Sequence, residues 1–166
     1  MGKQVVHNFE EGDTVVDVSH LNDEGFNDLL SIHKRPFVAS HSNSRAACNV
    51  PRNLTDNMFR ALVDMGGHAG LNLYRSYITE RPAPSSGEVT FGEFCAHIDH
   101  WLALGGEDIV AIDTDYDGND VPEWIESCSQ MVNLSAKLIE RFGHDVINKI
   151  FFRNAYDFFS RYEQGL

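Results

Sequence analysis

The feature that most constrains the fold of this chain is an alternation of short, largely apolar runs with longer amphipathic segments. The four runs occupy residues 14–19, 37–40, 68–74 and 109–112. Each is followed by a stretch in which apolar residues recur every three or four positions, which is the period of a helix packed on one face. Four successive βα units predict a parallel sheet with right-handed crossovers.

Capping residues and glycines indicate where two of the predicted helices begin and end. Thr55 and Thr90 each stand just before an apolar helical stripe, where helix N-caps are found. The pairs Gly66-Gly67 and Gly105-Gly106 follow those stripes and predict helix ends. The other segments with helical periodicity are residues 1–11, 23–33, 134–142 and 145–159.

The number of units indicates the size of the fold. An eight-stranded βα barrel takes roughly 250 residues, whereas this chain has 166. We therefore expect a single partial domain over residues 1–166, with four βα units resembling the C-terminal half of a (βα)8 TIM barrel and closing helices at about residues 134–160. An open four-stranded α/β sheet is the alternative. Residues 81–87 (RPAPSSG) have the composition of a surface loop.

Charge and cysteine usage exclude several classes of function. The chain has 13 Lys and Arg against 25 Asp and Glu, a net charge of −12, so nucleic-acid backbones and anionic membranes are not expected partners. No apolar run is long enough to span a bilayer, and the first residues lack the apolar region of a secretory signal. The three cysteines form no CxxC pair, which favours reduced thiols in a cytoplasmic protein.

Polar side chains follow three of the predicted strands. His20 follows the first and His41 the second, and Asp113 and Asp115 follow the fourth. The carboxyl ends of parallel strands form the functional site in α/β folds. Because neighbouring strands lie about 4.8 Å apart, two imidazoles at matched ends can share one metal ion at about 2.1 Å each. The alternative is a pair of hydrogen-bonded loop histidines.

Longer segments carry a family resemblance. Residues 15–26 (VVDVSHLNDEGF), 34–46 (KRPFVASHSNSRA) and 51–56 (PRNLTD) closely resemble segments of the membrane (renal) dipeptidase family of zinc peptidases. The segments that follow in the family's order are residues 67–74, 97–118 and 149–155. The resemblance implies a (βα)8 barrel that holds two zinc ions and hydrolyses dipeptides. Some members of that family accept a D-residue at the C-terminal position or open β-lactam rings.

The resemblance also implies roles for four side chains. His20 and His41 match the two histidines that bind the second zinc. Arg52 matches the arginine that holds the free carboxylate of the substrate, a task that suits its planar fork. Asp115 matches the acid that handles a proton on the attacking water or the leaving amine.

Two departures from the family limit those implications. The first-strand His-x-Asp pair, the bridging Glu and a substrate-polarising His of the family come from the N-terminal half, to which none of the matched segments corresponds. We therefore expect at most a partial zinc site. In addition, Asp113 stands where relatives carry a small residue such as Gly.

The resulting expectation is zinc-dependent hydrolysis of a dipeptide substrate, with the chain as a fragment that needs a missing N-terminal half or pairs with a second copy of itself. The alternative is an inactive remnant or an assembly subunit of a split dipeptidase. A calcium module is disfavoured: residues 113–118 (DTDYDG) fit the first half of an EF-hand loop, but Trp124 occupies the place of its last Glu.

The remaining histidines and aromatic residues are expected to pack or to face solvent. His97 and His100 share a face of a predicted outer helix. The helical spacing of the last aromatic cluster predicts core packing; its members are Phe151, Phe152, Tyr156, Phe158 and Phe159.

Overall fold

A three-stranded parallel sheet in the order β1-β2-β3 is the centre of the fold. The computed structural model describes residues 2–81 and 89–164, so most of the predicted loop at residues 81–87 lies outside the described residues. The strands are β1 (Val38–Ala39), β2 (His68–Asn72) and β3 (Val110–Asp113). β2 lies in the middle and pairs with both neighbours in parallel register.

The prediction of four strands is wrong by one. In place of a strand at residues 14–19 there is a single parallel bridge between Asp17 and Val38. The amide of Val18 donates to the carbonyl of Val38 at 2.8 Å, and the amide of Leu21 already turns back to the carbonyl of Val18 at 2.9 Å. The segment therefore runs beside β1 for too few residues to form a ladder.

Helices follow each strand, as the alternation predicts. Their bounds are α1 (Gly2–Glu11), α2 (Asp23–Ile32), α3 (Asp56–Met65), α4 (Arg75–Ile78), α5 (Phe91–Ala103), α6 (Met131–Phe142), α7 (His144–Asn148) and α8 (Asn154–Glu163). A π-helical turn, Lys149–Arg153, joins α7 to α8. Within the described ranges, no helix has the length and apolarity needed to cross a membrane.

The predicted helix caps are confirmed. The side chain of Thr55 accepts a hydrogen bond from the amide of Met58, and Gly66 ends α3 in the left-handed conformation with φ of 65°. Thr90 and Glu93 form a reciprocal capping box at the start of α5. These caps determine where α3 and α5 begin, and therefore where the loops that precede them end.

The main core lies between the sheet and the helices. Alternate strand residues, including Ala39, Ala69 and Leu71, are fully buried in it, as is Phe37 just before β1. The largest helical side chains packed there are Phe26, Phe59, Leu62, Phe94, Ile98 and Trp101. Since successive strand residues point to opposite faces, the other face of the sheet is left to a different set of side chains.

Helix α8 packs against that other face near the amino-terminal ends of the strands. Val38, Phe158 and Tyr162 form a second buried cluster there. The Asn154 amide donates to the carbonyl of Val110 at 2.7 Å, and the Tyr162 hydroxyl donates to the carbonyl of Thr14 at 3.1 Å. The carboxyl-terminal ends of the strands are thereby left for polar side chains.

The prediction of core packing for the last aromatic cluster holds only in part. Phe158 is buried, but Phe152 and Tyr156 are each 59% exposed and Phe159 is 46% exposed. The face of α8 that meets the sheet carries Asn154, Phe158 and Tyr162, and the exposed rings lie on a neighbouring stripe of the same helical surface.

Candidate functional site

Polar side chains converge beyond the carboxyl ends of the strands. His20 follows the segment bridged to β1, His41 follows β1, Asn72 ends β2, and Asp115 comes two residues after β3. Parallel pairing places these ends at one edge of the sheet. The position is the one at which α/β folds build their sites.

His20 and His41 are in direct contact. Their Nε2 atoms lie 2.9 Å apart, and their ring centroids lie 4.8 Å apart. A zinc ion bound tetrahedrally by both would need the nitrogens roughly 3.4 Å apart, from the usual Zn–N length of about 2.0–2.1 Å. The pair therefore fits two corners of a zinc site after a small opening of the rings.

The histidine pair has no third metal ligand in this part of the molecule. Across residues 2–81 and 89–164 there is no group of three or more His, Cys, Asp or Glu side chains that would hold a metal ion. Zinc sites in proteins use three or four protein ligands. The donors present thus fit the metal chemically but supply only part of its coordination.

The ring of His41 is held by a hydrogen bond to Ser40, which in turn bonds Asp17. The Ser40 hydroxyl lies 2.6 Å from Nδ1 of His41 and donates to Asp17 Oδ2 at 2.5 Å. Asp17 Oδ1 also accepts the backbone amides of Ser19 and Ser40. Partial burial raises the pKa of Asp17, but these hydrogen bonds outweigh it and hold that pKa below its usual value. Burial and then Arg52 lower the pKa of His41.

Arg52 lies against the loop that carries His41. Its Nη1 donates to Ser42 Oγ at 3.0 Å, and its Nη2 donates to the carbonyl of His41 at 3.2 Å. The guanidinium carbon lies 5.5 Å from the centre of the Tyr77 ring. Each terminal nitrogen bears two N–H groups, so these bonds to the His41 loop do not use all the donors of the fork, and Tyr77 is a further neighbour that hydrogen-bonds Arg52.

Asp115 occupies a strained turn. Its φ is 50°, a conformation that side chains other than Gly, Asn and Asp rarely adopt. The Asn72 amide donates to Asp115 Oδ2 at 3.1 Å, and Asp113 Oδ1 accepts the backbone amide of Asp115 at 3.1 Å. Asp113 therefore shapes the turn that presents Asp115. Because β3 precedes this turn, the helix that an EF-hand requires is replaced by a strand.

The sequence interpretation missed the buried residues that hold the loop after β1. The side chain of Asn43 accepts a hydrogen bond from the backbone amide of Asn72 at 2.8 Å and donates one to the backbone carbonyl of Asn72 at 2.9 Å. His97 accepts from the amide of Ser44 at 3.1 Å, and its Nε2 lies 3.2 Å from the carbonyl of Ile78. Burial lowers the pKa of His97 to about 4. In the sequence, the one sign of a buried role for His97 is that it stands among the apolar residues of the segment that forms α5.

Comparison with known proteins agrees with this arrangement. Residues 1–164 match the family model described as membrane dipeptidase, peptidase family M19. An uncharacterized protein encoded in the pqqA 5′ region of Klebsiella pneumoniae is 34% identical over 141 residues, which cover 84% of this chain and 51% of that protein. An uncharacterized dipeptidase of Schizosaccharomyces pombe is 30% identical over 128 residues, 76% of this chain and 30% of that protein.

Solved structures show the same relation. A metallo peptidase from Rhodobacter sphaeroides, liganded with a phosphinate mimic of L-Ala-D-Ala, superposes with a TM-score of 0.89 at 29% identity, over 96% of this chain and 46% of that one. The matched residues thus span between 30% and 51% of the length of these relatives, and the chain corresponds to part of their TIM-barrel fold. By its sequence and its structure, the chain belongs to the membrane dipeptidase family, peptidase family M19.

Proposed function

We propose that this chain forms the second half of a zinc-dependent dipeptidase site. The observation that carries the proposal is the contact of His20 with His41, whose Nε2 atoms lie 2.9 Å apart at the carboxyl end of the sheet. Arg52 and Asp115 lie at the same end. Bound zinc supplies a Lewis acid and lowers the pKa of bound water toward neutrality.

The residues of this chain divide the work on the substrate. His20 and His41 hold the second zinc. Arg52 pairs with the free carboxylate of a dipeptide through the N–H groups that the His41 loop leaves unused. Asp115 accepts or returns a proton at its carboxylate oxygen. The L-Ala-D-Ala mimic bound by the Rhodobacter sphaeroides enzyme supports a dipeptide as the substrate class.

Activity requires residues beyond this chain. The described residues offer no group of three or more metal-binding side chains, and the match covers only about half of the Klebsiella pneumoniae and Rhodobacter sphaeroides relatives. We expect the missing ligands to come from a first barrel half. The alternative, an inactive or assembly subunit, is favoured by the same incomplete ligand set and differs in the result of complementation.

Hydrolysis of L-Ala-D-Ala with added zinc tests the proposal. The 166-residue chain alone should show essentially no turnover, and co-expression with the first half of the Rhodobacter sphaeroides enzyme should restore it. The substitutions His20→Ala and His41→Ala together should abolish the restored activity, whereas His144→Ala, at an exposed histidine, should not. Robust turnover by the chain alone, sensitive to chelator, contradicts the half-site; no turnover after a complex has formed favours the assembly subunit.

A further inference from the structure

We propose that Asp17 and Ser40 are positioning residues that keep the proton of the His41 imidazole on Nδ1, so that Nε2 is free to bind a metal ion opposite His20. The inference deepens the proposed zinc site and rests on it. It concerns hydrogen positions that follow from which atoms are able to donate.

Asp17 determines which atom donates in each hydrogen bond between Asp17, Ser40 and His41. An ionised carboxylate only accepts hydrogen bonds. The Ser40 hydroxyl, 2.5 Å from Asp17 Oδ2, must therefore donate to it. That hydroxyl has a single proton, so its oxygen can only accept from His41 Nδ1, which lies 2.6 Å away. Nδ1 of His41 consequently carries the proton.

The consequence falls on the other ring nitrogen. A neutral imidazole protonated at Nδ1 has its lone pair on Nε2, and Nε2 of His41 is the atom that faces His20 at 2.9 Å. Without metal, Nε2 of His20 donates its proton across this contact. To offer Nε2 to a metal ion, neutral His20 would have to carry its proton on Nδ1 instead, whereas His41 would need no change of tautomer.

The backbone of the same loop is fixed by the same groups. Asp17 Oδ1 accepts the amide of Ser40 at 3.1 Å, and Ser19 Oγ accepts the amide of His41 at 3.0 Å. Ring and backbone of His41 are thus held together with Asp17 as the common anchor. Histidine ligands are oriented in this way when their second nitrogen donates to a carboxylate, a carbonyl or another acceptor.

The tautomer of His41 is the direct test. Long-range ¹H–¹⁵N correlation spectra of the labelled 166-residue chain, recorded without metal at pH 8, distinguish protonated Nδ1 from protonated Nε2; a His41→Gln spectrum assigns the signals. We expect Nδ1 to be protonated in the unsubstituted chain. Ser40→Ala should shift the population toward protonated Nε2, and Ser40→Thr should restore the original pattern because it keeps the hydroxyl.

Asp17→Asn should shift the tautomer of His41 in the same direction as Ser40→Ala, by a different route. The amide of Asn can donate to Ser40 Oγ, which lets the hydroxyl turn its proton toward Nδ1 of His41. In this variant we expect His41 to carry its proton on Nε2. Its ¹H–¹⁵N amide spectrum should still be that of a folded protein. Protonated Nε2 in the unsubstituted chain, or an unchanged tautomer in both Ser40→Ala and Asp17→Asn, overturns the inference.

Zinc affinity tests whether the hydrogen bonds from His41 through Ser40 to Asp17, here called the relay, affect the metal site. In competition with a chromophoric chelator, Ser40→Ala should raise the dissociation constant for zinc by 10- to 100-fold, the usual effect of removing such an outer partner. Ser31→Ala is the control, because the Ser31 hydroxyl donates to the carbonyl of Asp28 in α2; it should leave the dissociation constant unchanged. Where zinc binding depends on His20 and His41, equal affinity of Ser40→Ala and the unsubstituted chain contradicts the positioning role of Ser40.

The relay and the metal site can fail separately. If zinc binds the unsubstituted chain no better than it binds the chain with both His20→Ala and His41→Ala, the proposed metal site is wrong. A tautomer that still responds to Ser40→Ala and Asp17→Asn would then support the relay alone.

Discussion

Nδ1 of His97 accepts a hydrogen bond from the backbone amide of Ser44, 3.1 Å away and 53 residues earlier in the chain. The contact ties α5 to the loop that begins with His41. Burial lowers the pKa of His97 to about 4, and it does the same to His68 beneath α8. Both histidines are therefore neutral in the folded chain.

The first prediction concerns stability against pH. Between pH 6.5 and about 4 the unfolded chain binds more protons at His97 and His68 than the folded chain does, so stability is complete above pH 6.5 and falls as the pH drops through this window. From pH 7.5 to 5.5 the loss should be roughly 1.4 kcal/mol per histidine. Urea unfolding at the two pH values measures it.

Substitution separates the two histidines. His97→Gln keeps an acceptor for Ser44 and a donor for Ile78, so it should reduce the loss between pH 7.5 and 5.5 by roughly 1.4 kcal/mol, at a modest cost in stability at pH 7.5. His97→Leu should cost more at both pH values, because it leaves the Ser44 amide buried without a partner. His144→Gln, at an exposed position, is the control. An unchanged pH dependence in His97→Gln would show that folding does not lower the pKa of His97.

The second prediction concerns the close contact of β1 and β2. A Cβ built on Gly70 would lie 1.8 Å from the carbonyl oxygen of Ser40. Gly70→Ala must therefore push the strands apart next to His41. Overpacking of this kind costs about 1–3 kcal/mol or more, and we expect a loss at the upper end, measured by urea unfolding.

Gly92 supplies the matched control. It lies in the first turn of α5, and the nearest atom to an added Cβ, Thr90 Oγ1, is 3.9 Å away. Gly92→Ala should be neutral or stabilising by about 0.5 kcal/mol, because alanine loses less backbone entropy in a helix. Equal effects of the two substitutions would contradict the tight fit at Gly70.

These two cases show what the sequence can and cannot reveal. The last three predicted strands, the helices between them and the caps at Thr55 and Thr90 follow from local patterns and residue types and are found in the structure. The prediction that His20 and His41 lie close together agrees with their contact in the structure. The hydrogen bonds of His97, by contrast, join segments far apart in the chain, and no local pattern encodes such pairs.

Failures at the margins of the fold have a similar cause. Residues 14–19 have a strand composition, but a strand also needs a partner along its length, and α1 and the turn at His20 leave only one bridge. The exposed Phe152 and Tyr156 have a helical spacing that is indistinguishable from a core stripe. The sequence shows only that Asp113 replaces a small residue of the family, whereas the structure shows its carboxylate accepting a hydrogen bond from the backbone amide of Asp115.

The third prediction concerns Arg52 in the complemented enzyme. Arg52→Ala should raise KM for L-Ala-D-Ala about 30-fold, or about 2 kcal/mol, because the carboxylate of the substrate loses its charged partner. Arg52→Lys should recover only part of this, since an ammonium cannot pair both oxygens in a plane. Arg60→Ala, at an exposed position on α3, should leave KM unchanged.

Arg52 also bonds Ser42 and the carbonyl of His41, so its loss could act through the zinc ligands. Zinc affinity measured on the same variant separates the two effects. If KM rises only in proportion to weakened zinc binding, Arg52 supports the His41 loop and does not anchor the substrate.

The last prediction concerns Asp115, again in the complemented enzyme. Asp115→Asn should lower kcat by 10²- to 10⁴-fold with little change in KM, because it removes a proton carrier and keeps the shape of the side chain. The fold should tolerate it: asparagine is one of the few residues that accept a φ of 50°, and its carbonyl oxygen can take the hydrogen bond from Asn72. Asp117→Asn is the matched control, since Asp117 has a φ of 65° in the same turn and is exposed. Equal stability of both variants, with loss of kcat confined to Asp115→Asn, is the expected result; a kcat within a few-fold of the unsubstituted enzyme would remove Asp115 from the proton transfer.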